Sequence, residues 1–423
     1  MNQVKVALIG GGLRGSIYTS FALQNPHAMK VVAVAEPNAE RMAVFKSEHG
    51  LRDDQCYKDW DEMLAVPQLA DAVIVTTQDK FHYEPTMRAL ETGYHVLLEK
   101  PMSASAEECV RMQEQAKKYD RSLTICHVLR YTTFFRALKE LVDDGAIGRL
   151  MSISHHENVA YWHQAHSYVR GNWRNSKESS PMILAKSCHD LDILLWLVGA
   201  DCLNVSSFGS LSHFKADQAP PGAPKRCLDG CPVAVECPYY APKIYLTDTP
   251  GWKDRAMSDD LSYEARYQAL LKGPYGRCVY HCDNDVVDHQ VVSMEFANEV
   301  TAVFTMTAFT EECNRTIKLM GTKGEIRGSM DKNEIEVRYF GNGKRQLLTF
   351  NDPGGHIGHG GGDFGLMRDF LDEVRSKGKV EMLTSAAQSV QSHMIAFAAE
   401  RSRMEKRTIS VAEFIEEVKS SSS

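Results

Sequence analysis

Six residues near the N-terminus restrict the fold more than any other feature. Gly10, Gly11, Gly12, Leu13, Arg14 and Gly15 follow a short apolar run at residues 5–9 and precede a stretch with Ile17 and Phe21 four apart. Few architectures place such glycines between a strand and a helix. Gly10 allows a tight turn, Gly12 lets backbone approach a ligand, and Gly15 lets the helix lie against the strand. The helix that follows offers unpaired N–H groups to an anion, and the spacing suits a dinucleotide pyrophosphate. Leu13 and Arg14 are expected beside it. Glu36, 21 residues beyond Gly15, ends a second β-branched run at 31–35, where its carboxylate can accept ribose hydroxyls. It would repel a 2′-phosphate, which favours NAD over NADP; Arg41 nearby weighs the other way.

The first 125 residues continue in the same manner. Strand-like runs at 31–35, 72–76, 94–98 and 122–126 alternate with helical stretches at 40–48 and 82–91, and Ser105 with Glu108 caps a further helix. This alternation predicts an α/β fold, with residues 1–127 forming a Rossmann dinucleotide-binding domain around a parallel sheet. The pattern changes after about residue 145. A strand at 150–156 leads into an aromatic, histidine-rich loop at 160–174. Pro181 opens a helix at 182–197, closed by Gly199. Strands at 291–296, 301–307, 316–320, 334–339 and 345–349 follow, with hairpin turns at 321–324 and 341–343. Helices at 366–375 and 386–404 come last, and 420–423 should fray. Residues 128–423 are expected to form an α+β substrate and oligomerisation domain with a large open antiparallel sheet.

Residues 207–285 stand apart as an insertion with eight of the chain's 15 prolines. Five of the 11 cysteines lie there as well. Cys227, Cys231 and Cys237, with Cys278 as the fourth ligand, suit a structural zinc; Cys282 and His281 are rivals for the fourth place. An iron–sulfur cluster and free thiols are the alternatives. The 48 basic against 55 acidic residues leave a net charge of −7, which argues against nucleic acid as a partner. No apolar run approaches the roughly 20 residues of a membrane span. No charged leader with an apolar core is seen, and a cytoplasmic location is expected.

Glu99, Lys100 and Pro101 end the fourth strand, at the sheet edge where open α/β folds bind ligands. Together with the glycine loop, the stretch from Thr76 and Thr77 to His82, and the helix carrying His189, they resemble the Gfo/Idh/MocA oxidoreductases. That family includes glucose–fructose oxidoreductase and inositol dehydrogenases. The resemblance covers residues 1–205 and 286–405. It implies a Rossmann domain followed by an α/β domain with an open sheet whose broad exposed face predicts a homo-oligomer, with Thr76, Thr77, His82, Glu99 and Lys100 at the cofactor. Lys100 would move the substrate's hydroxyl proton, since a cation beside it eases proton loss.

The resemblance also implies a catalytic histidine at His189 and an aspartate four residues earlier, where this chain has Ala185. Helical spacing offers Lys186 or Asp192 in its stead. Tyr161, Trp162, Arg170 and Trp173 form a polar–aromatic wall suited to a sugar, though the tryptophans serve packing equally well. His127 and Arg130 follow the fifth strand and should face the cleft. Asp285 and His289 are further substrate contacts, or members of a solvated acidic loop. The expected activity is hydride transfer between NAD and a sugar, polyol or glycoside hydroxyl, with Lys100, Lys186, His189 and Asp192 as catalytic candidates. The alternatives are glycoside cleavage through transient oxidation and a non-catalytic NAD-binding sensor or scaffold.

Overall fold

The computed structural model describes residues 2–350, 359–379 and 382–422. Its first layer is a six-stranded, wholly parallel sheet of β1 (Val4–Ile9), β2 (Met29–Ala35), β3 (Cys56–Tyr57), β4 (Ala72–Val75), β5 (His95–Leu98) and β6 (Leu123–Ile125). The strand order is β3-β2-β1-β4-β5-β6. All of β4 and most of β1 and β2 are buried, because helices cover both faces; these strands therefore read as apolar runs instead of alternating. Connections diverge to opposite sides between β1 and β4, which opens a crevice at their carboxyl ends.

The second layer has nine strands: β7 (Leu150–Asn158), β8 (Cys202–Ser210), β9 (His289–Phe296), β10 (Thr301–Thr307), β11 (Asn314–Gly321), β12 (Gly324–Ser329), β13 (Glu334–Tyr339), β14 (Arg345–Thr349) and β15 (Ile409–Ser410). It is mixed and not purely antiparallel, because β10 runs parallel to β7. The chain leaves β7 through helices, β8, the insertion and β9 before returning beside it, so no hairpin forces antiparallel order. β9 and β10 alternate buried and open residues, so one sheet face packs on helices and the other is bare. Among the described residues no helix is long and apolar enough to cross a membrane.

Several expectations change. The helix expected at 182–197 is broken: Met182–Ala185 ends at Lys186, Ser187 leaves helical geometry, and Cys188–Val198 begins anew. Residues 164–170 are not a cleft-side loop but a wholly buried π-helical turn, Gln164–Arg170, packed under the insertion. The insertion itself begins later than residue 207, since β8 runs to Ser210. It carries short helices (Ala241–Tyr245, Trp252–Arg255, Tyr263–Lys272) and a small apolar cluster of Ile244, Tyr245, Leu270 and Tyr275. The terminal helix Val411–Ser422 also reaches beyond the point where fraying is expected.

The C-terminal helices return to the first layer. Phe370 and Leu371 of Gly362–Ser376 join one face of the parallel sheet, and Val390 and Met394 of Ala386–Glu405 join the other. The Rossmann layer is thus completed by side chains from far beyond residue 127.

Candidate active site

The glycine loop turns between β1 and the helix Leu13–Gln24. Gly10 has φ +93°, and a Cβ there would lie 2.8 Å from the Thr76 carbonyl oxygen. A Cβ on Gly15 would meet the Gly10 oxygen at 2.4 Å. Gly12 differs: nothing lies within 4 Å of its Cβ position, so open space faces the backbone there. The helix has neither a capping side chain nor an acidic residue in its first turn, which leaves its N–H groups to an anion. A dinucleotide fits this set.

Glu36 Oε2 accepts from the Gly11 N–H at 2.5 Å and Oε1 from Asn38 N–H at 2.9 Å, placing the carboxylate beside the loop at the end of β2. Thr76 braces the loop, its hydroxyl donating to Gly10 O at 2.6 Å. Thr77 donates to Phe81 O, and the His82 ring sits between Pro101 O and Thr77 O, at 2.7 and 3.0 Å. Thr77 and His82 therefore brace the cofactor rim. Leu13 turns its side chain to solvent. Arg14 pairs with Glu99 at 2.6 Å and with Asp363. Burial alone would raise Glu99, but Arg14 and Lys100 outweigh it and hold the carboxyl below its usual range.

Lys100 follows β5, before a cis peptide to Pro101, and its Nζ donates to the Ala185 carbonyl at 2.9 Å. Where the resemblance implies a carboxylate, the lysine meets a backbone oxygen. His189 is 4% exposed and packs edge-on against His127, ring centroids 5.8 Å apart. His127 is fully buried and in turn lies 5.4 Å from the His393 ring. His393 holds the loop after β5 by accepting from Met102 N–H at 3.0 Å, while Nδ1 donates to Ser389 O. Burial lowers His127 to about 4 and His393 to about 3, so both are neutral near pH 7.

Several expected site residues are committed elsewhere. Asp192 does not orient His189: both its oxygens take a two-point bond from Arg130 at 2.7 Å. Arg130 is spent there and on Leu383 O and Gln388, so it is not a free substrate contact. The break after Ala185 removes the helical register that would align Lys186 with His189. Lys186 instead pairs with the buried Glu157 at 3.1 Å, which Arg315 also meets at 2.6 Å. Arg170, fully buried, donates to Arg277 O and Tyr239 O within the insertion, away from any sugar wall. Asp285 gives both oxygens to Ser176. His289 stands at the start of β9 against Asp288.

Tyr161 and Trp162 remain half-buried; Trp162 stacks on His163 at 5.5 Å and lies 6.2 Å from Trp252 of the insertion. Trp173 donates its indole N–H to Asp79 at 3.1 Å, and Ser179 and Ser180 bind the other oxygen. Asp79 thus clips the second layer to the cofactor layer. Asp79, Glu157, Asp363 and His393 were not legible as site residues. Each is a single polar residue whose partner lies between 29 and 349 positions away.

The expected zinc finds no support in the donor arrangement: among the described residues, no group of three or more His, Cys, Asp or Glu side chains is placed to hold a metal ion. Cys227, Cys231, Cys237 and Cys278 do line one common pocket.

Comparison with known proteins agrees with this layout. Residues 4–127 match the family described as oxidoreductase family, NAD-binding Rossmann fold, and residues 139–411 match its C-terminal alpha/beta domain. The chain is similar to a protein named as the oxidoreductase YteT of Bacillus subtilis (strain 168), 25% identical over 376 residues, 84% of this chain and 85% of that one. It is 29% identical to inositol 2-dehydrogenase of Pseudomonas fluorescens (strain SBW25) over 224 residues, covering 51% of this chain and 62% of the relative. Levoglucosan dehydrogenase, solved with NADH and L-sorbose, shares the fold: TM-score 0.73 at 20% identity, over 97% of this chain and 99% of that one.

Proposed function

Because the chain belongs to the oxidoreductase family with an NAD-binding Rossmann fold, we propose that it oxidises or reduces a carbinol of a sugar or polyol with NAD. The observation that carries this reading is Lys100 at the carboxyl edge of β5, its Nζ donating to the carbonyl of Ala185, four residues before the buried His189. The nicotinamide, when bound, accepts or returns the hydride. The loop from Gly10 to Gly15 binds the pyrophosphate through backbone N–H groups, and Glu36 receives the adenosine ribose hydroxyls.

Lys100 takes the proton from the reacting hydroxyl, and His189 is the second polar group on that side of the cleft. Tyr161 and Trp162 offer aromatic faces to the sugar's C–H groups.

The test is reduced-nicotinamide absorbance from NAD with a panel of sugars and inositols. Lys100→Ala should lower turnover by roughly 10²–10⁴-fold; undiminished turnover removes Lys100 from the mechanism. Ala185 favours a second reading, glycoside cleavage through transient oxidation without net consumption of NAD. Release of the aglycone from a chromogenic glycoside, with no accumulating reduced nicotinamide, distinguishes it.

A further inference from the structure

The oxidoreductase reading leaves the cysteines of the insertion without a role. Two distant stretches carry them, and the backbone brings these together. Cys227 N–H donates to Gly276 O at 3.0 Å and Cys278 N–H to Lys225 O at 2.9 Å, a short antiparallel ladder around the Arg226–Arg277 bridge. The turn after it binds Cys237 N–H to Val233 O and Ala234 N–H to Cys231 O. Cys227, Cys231, Cys237 and Cys278 thereby surround one cavity of about 10 Å³. That is room for a single atom-sized guest.

Arg170 lines the same cavity. Its guanidinium is 0% exposed, and none of its hydrogen bonds reaches a carboxylate. Nη2 points to Cys227 Sγ at 3.6 Å as well as to Tyr239 O. Nη1 has no well-formed hydrogen bond, with the Tyr245 phenol as its polar neighbour. A buried cation without an anion is costly. No carboxylate lines the cavity with it; its polar lining is thiols and tyrosine phenols.

We propose that this pocket binds one thiophilic divalent cation of the zinc class through Cys227, Cys231, Cys237 and Cys278, and that Arg170 balances part of the resulting charge. Binding is not a redox step. Four S–H groups release their protons to solvent, four metal–sulfur bonds form, and the complex carries a net charge of −2, which the guanidinium offsets by one. The donor side chains are not drawn together beforehand. Thiolates converge once the cation is present to hold them, and metal binding is coupled to local folding in small sites of this kind. The role is structural: it closes a proline-rich segment whose own apolar clusters are small. It is independent of the substrate and the direction of the redox reaction.

The test is metal analysis of the full chain purified under reducing conditions without chelator. About one zinc-class ion per chain is expected, released as roughly four thiols react with an organomercurial. Cys237→Ser should lower the metal content. Arg170→Gln, with every thiol retained, should weaken retention against a chelator by roughly 10–100-fold, the usual cost of losing a group that supports the ligands. A folded, metal-free protein whose four thiols alkylate freely overturns the proposal. So do two disulfides in their place, or iron with acid-labile sulfide.

Discussion

Replacing Gly12 with alanine separates cofactor binding from folding. Gly12 sits at φ −78° and ψ −171°, an extended conformation open to any residue, and its Cβ would touch no protein atom within 4 Å. Loss of glycine's freedom in the unfolded chain stabilises by about 0.4–1 kcal/mol. Alanine caps a helix less well than glycine, which costs a similar amount. The two effects oppose, so stability should change by less than about 1 kcal/mol, or roughly 1 °C in Tm for a chain of this size.

The methyl group instead occupies the space through which the pyrophosphate reaches the backbone N–H groups. One lost hydrogen bond to a charged phosphate is worth about 1.5–3 kcal/mol, a rise in the NAD Kd of roughly 10–100-fold. Gly15→Ala provides the contrast. Its Cβ would overlap the Gly10 oxygen at 2.4 Å, so melting should suffer as well as binding. Calorimetric titration with NAD, set beside thermal melts of both variants, measures each effect. An unchanged NAD affinity in a Gly12→Ala protein of unchanged Tm would refute the placement of the pyrophosphate.

Asp192→Asn leaves Arg130 buried with its charge uncompensated, and denaturant unfolding should show a loss of about 3–5 kcal/mol; a loss below about 1 kcal/mol would mean the pair is solvated. Acid should weaken the fold well above the carboxylate range. Burial depresses His127 to about 4, His166 to about 3 and His393 to about 3, against about 6.5 in the unfolded chain. Between those limits the unfolded chain binds up to three more protons, so stability is full above about pH 6.5 and falls with pH, by as much as about 4 kcal/mol per unit. Asp190 and Asp192, both depressed by their arginine partners despite burial, add a further loss only below about pH 4. Denaturant midpoints that stay flat from pH 7 to 5 would contradict the histidine assignment.

The parts of this protein that were legible in its sequence are those governed by neighbours along the chain. Gly10, Gly12 and Gly15 announce a phosphate loop because backbone sterics act within a few residues. The parallel strands show as unbroken apolar runs because both faces are covered, and Ser105 with Glu108 marks a helix start through bonds three residues long. The four cysteines that line one cavity stand within 52 residues of each other in the sequence.

Tertiary structure decided which polar side chains are free. Spacing placed Asp192 and Lys186 beside His189, but the break at Lys186 and Ser187 and the pull of Arg130 and Glu157 sent them elsewhere. Arg170 reads as a substrate contact in a loop and is instead a buried cation under the insertion. Asp363 reaches back 349 residues to Arg14, and His393 291 residues to Met102. A charge or hydrogen-bonding group takes whichever partner the packed core brings within about 3 Å, and that choice depends on how distant segments meet, which no local pattern records.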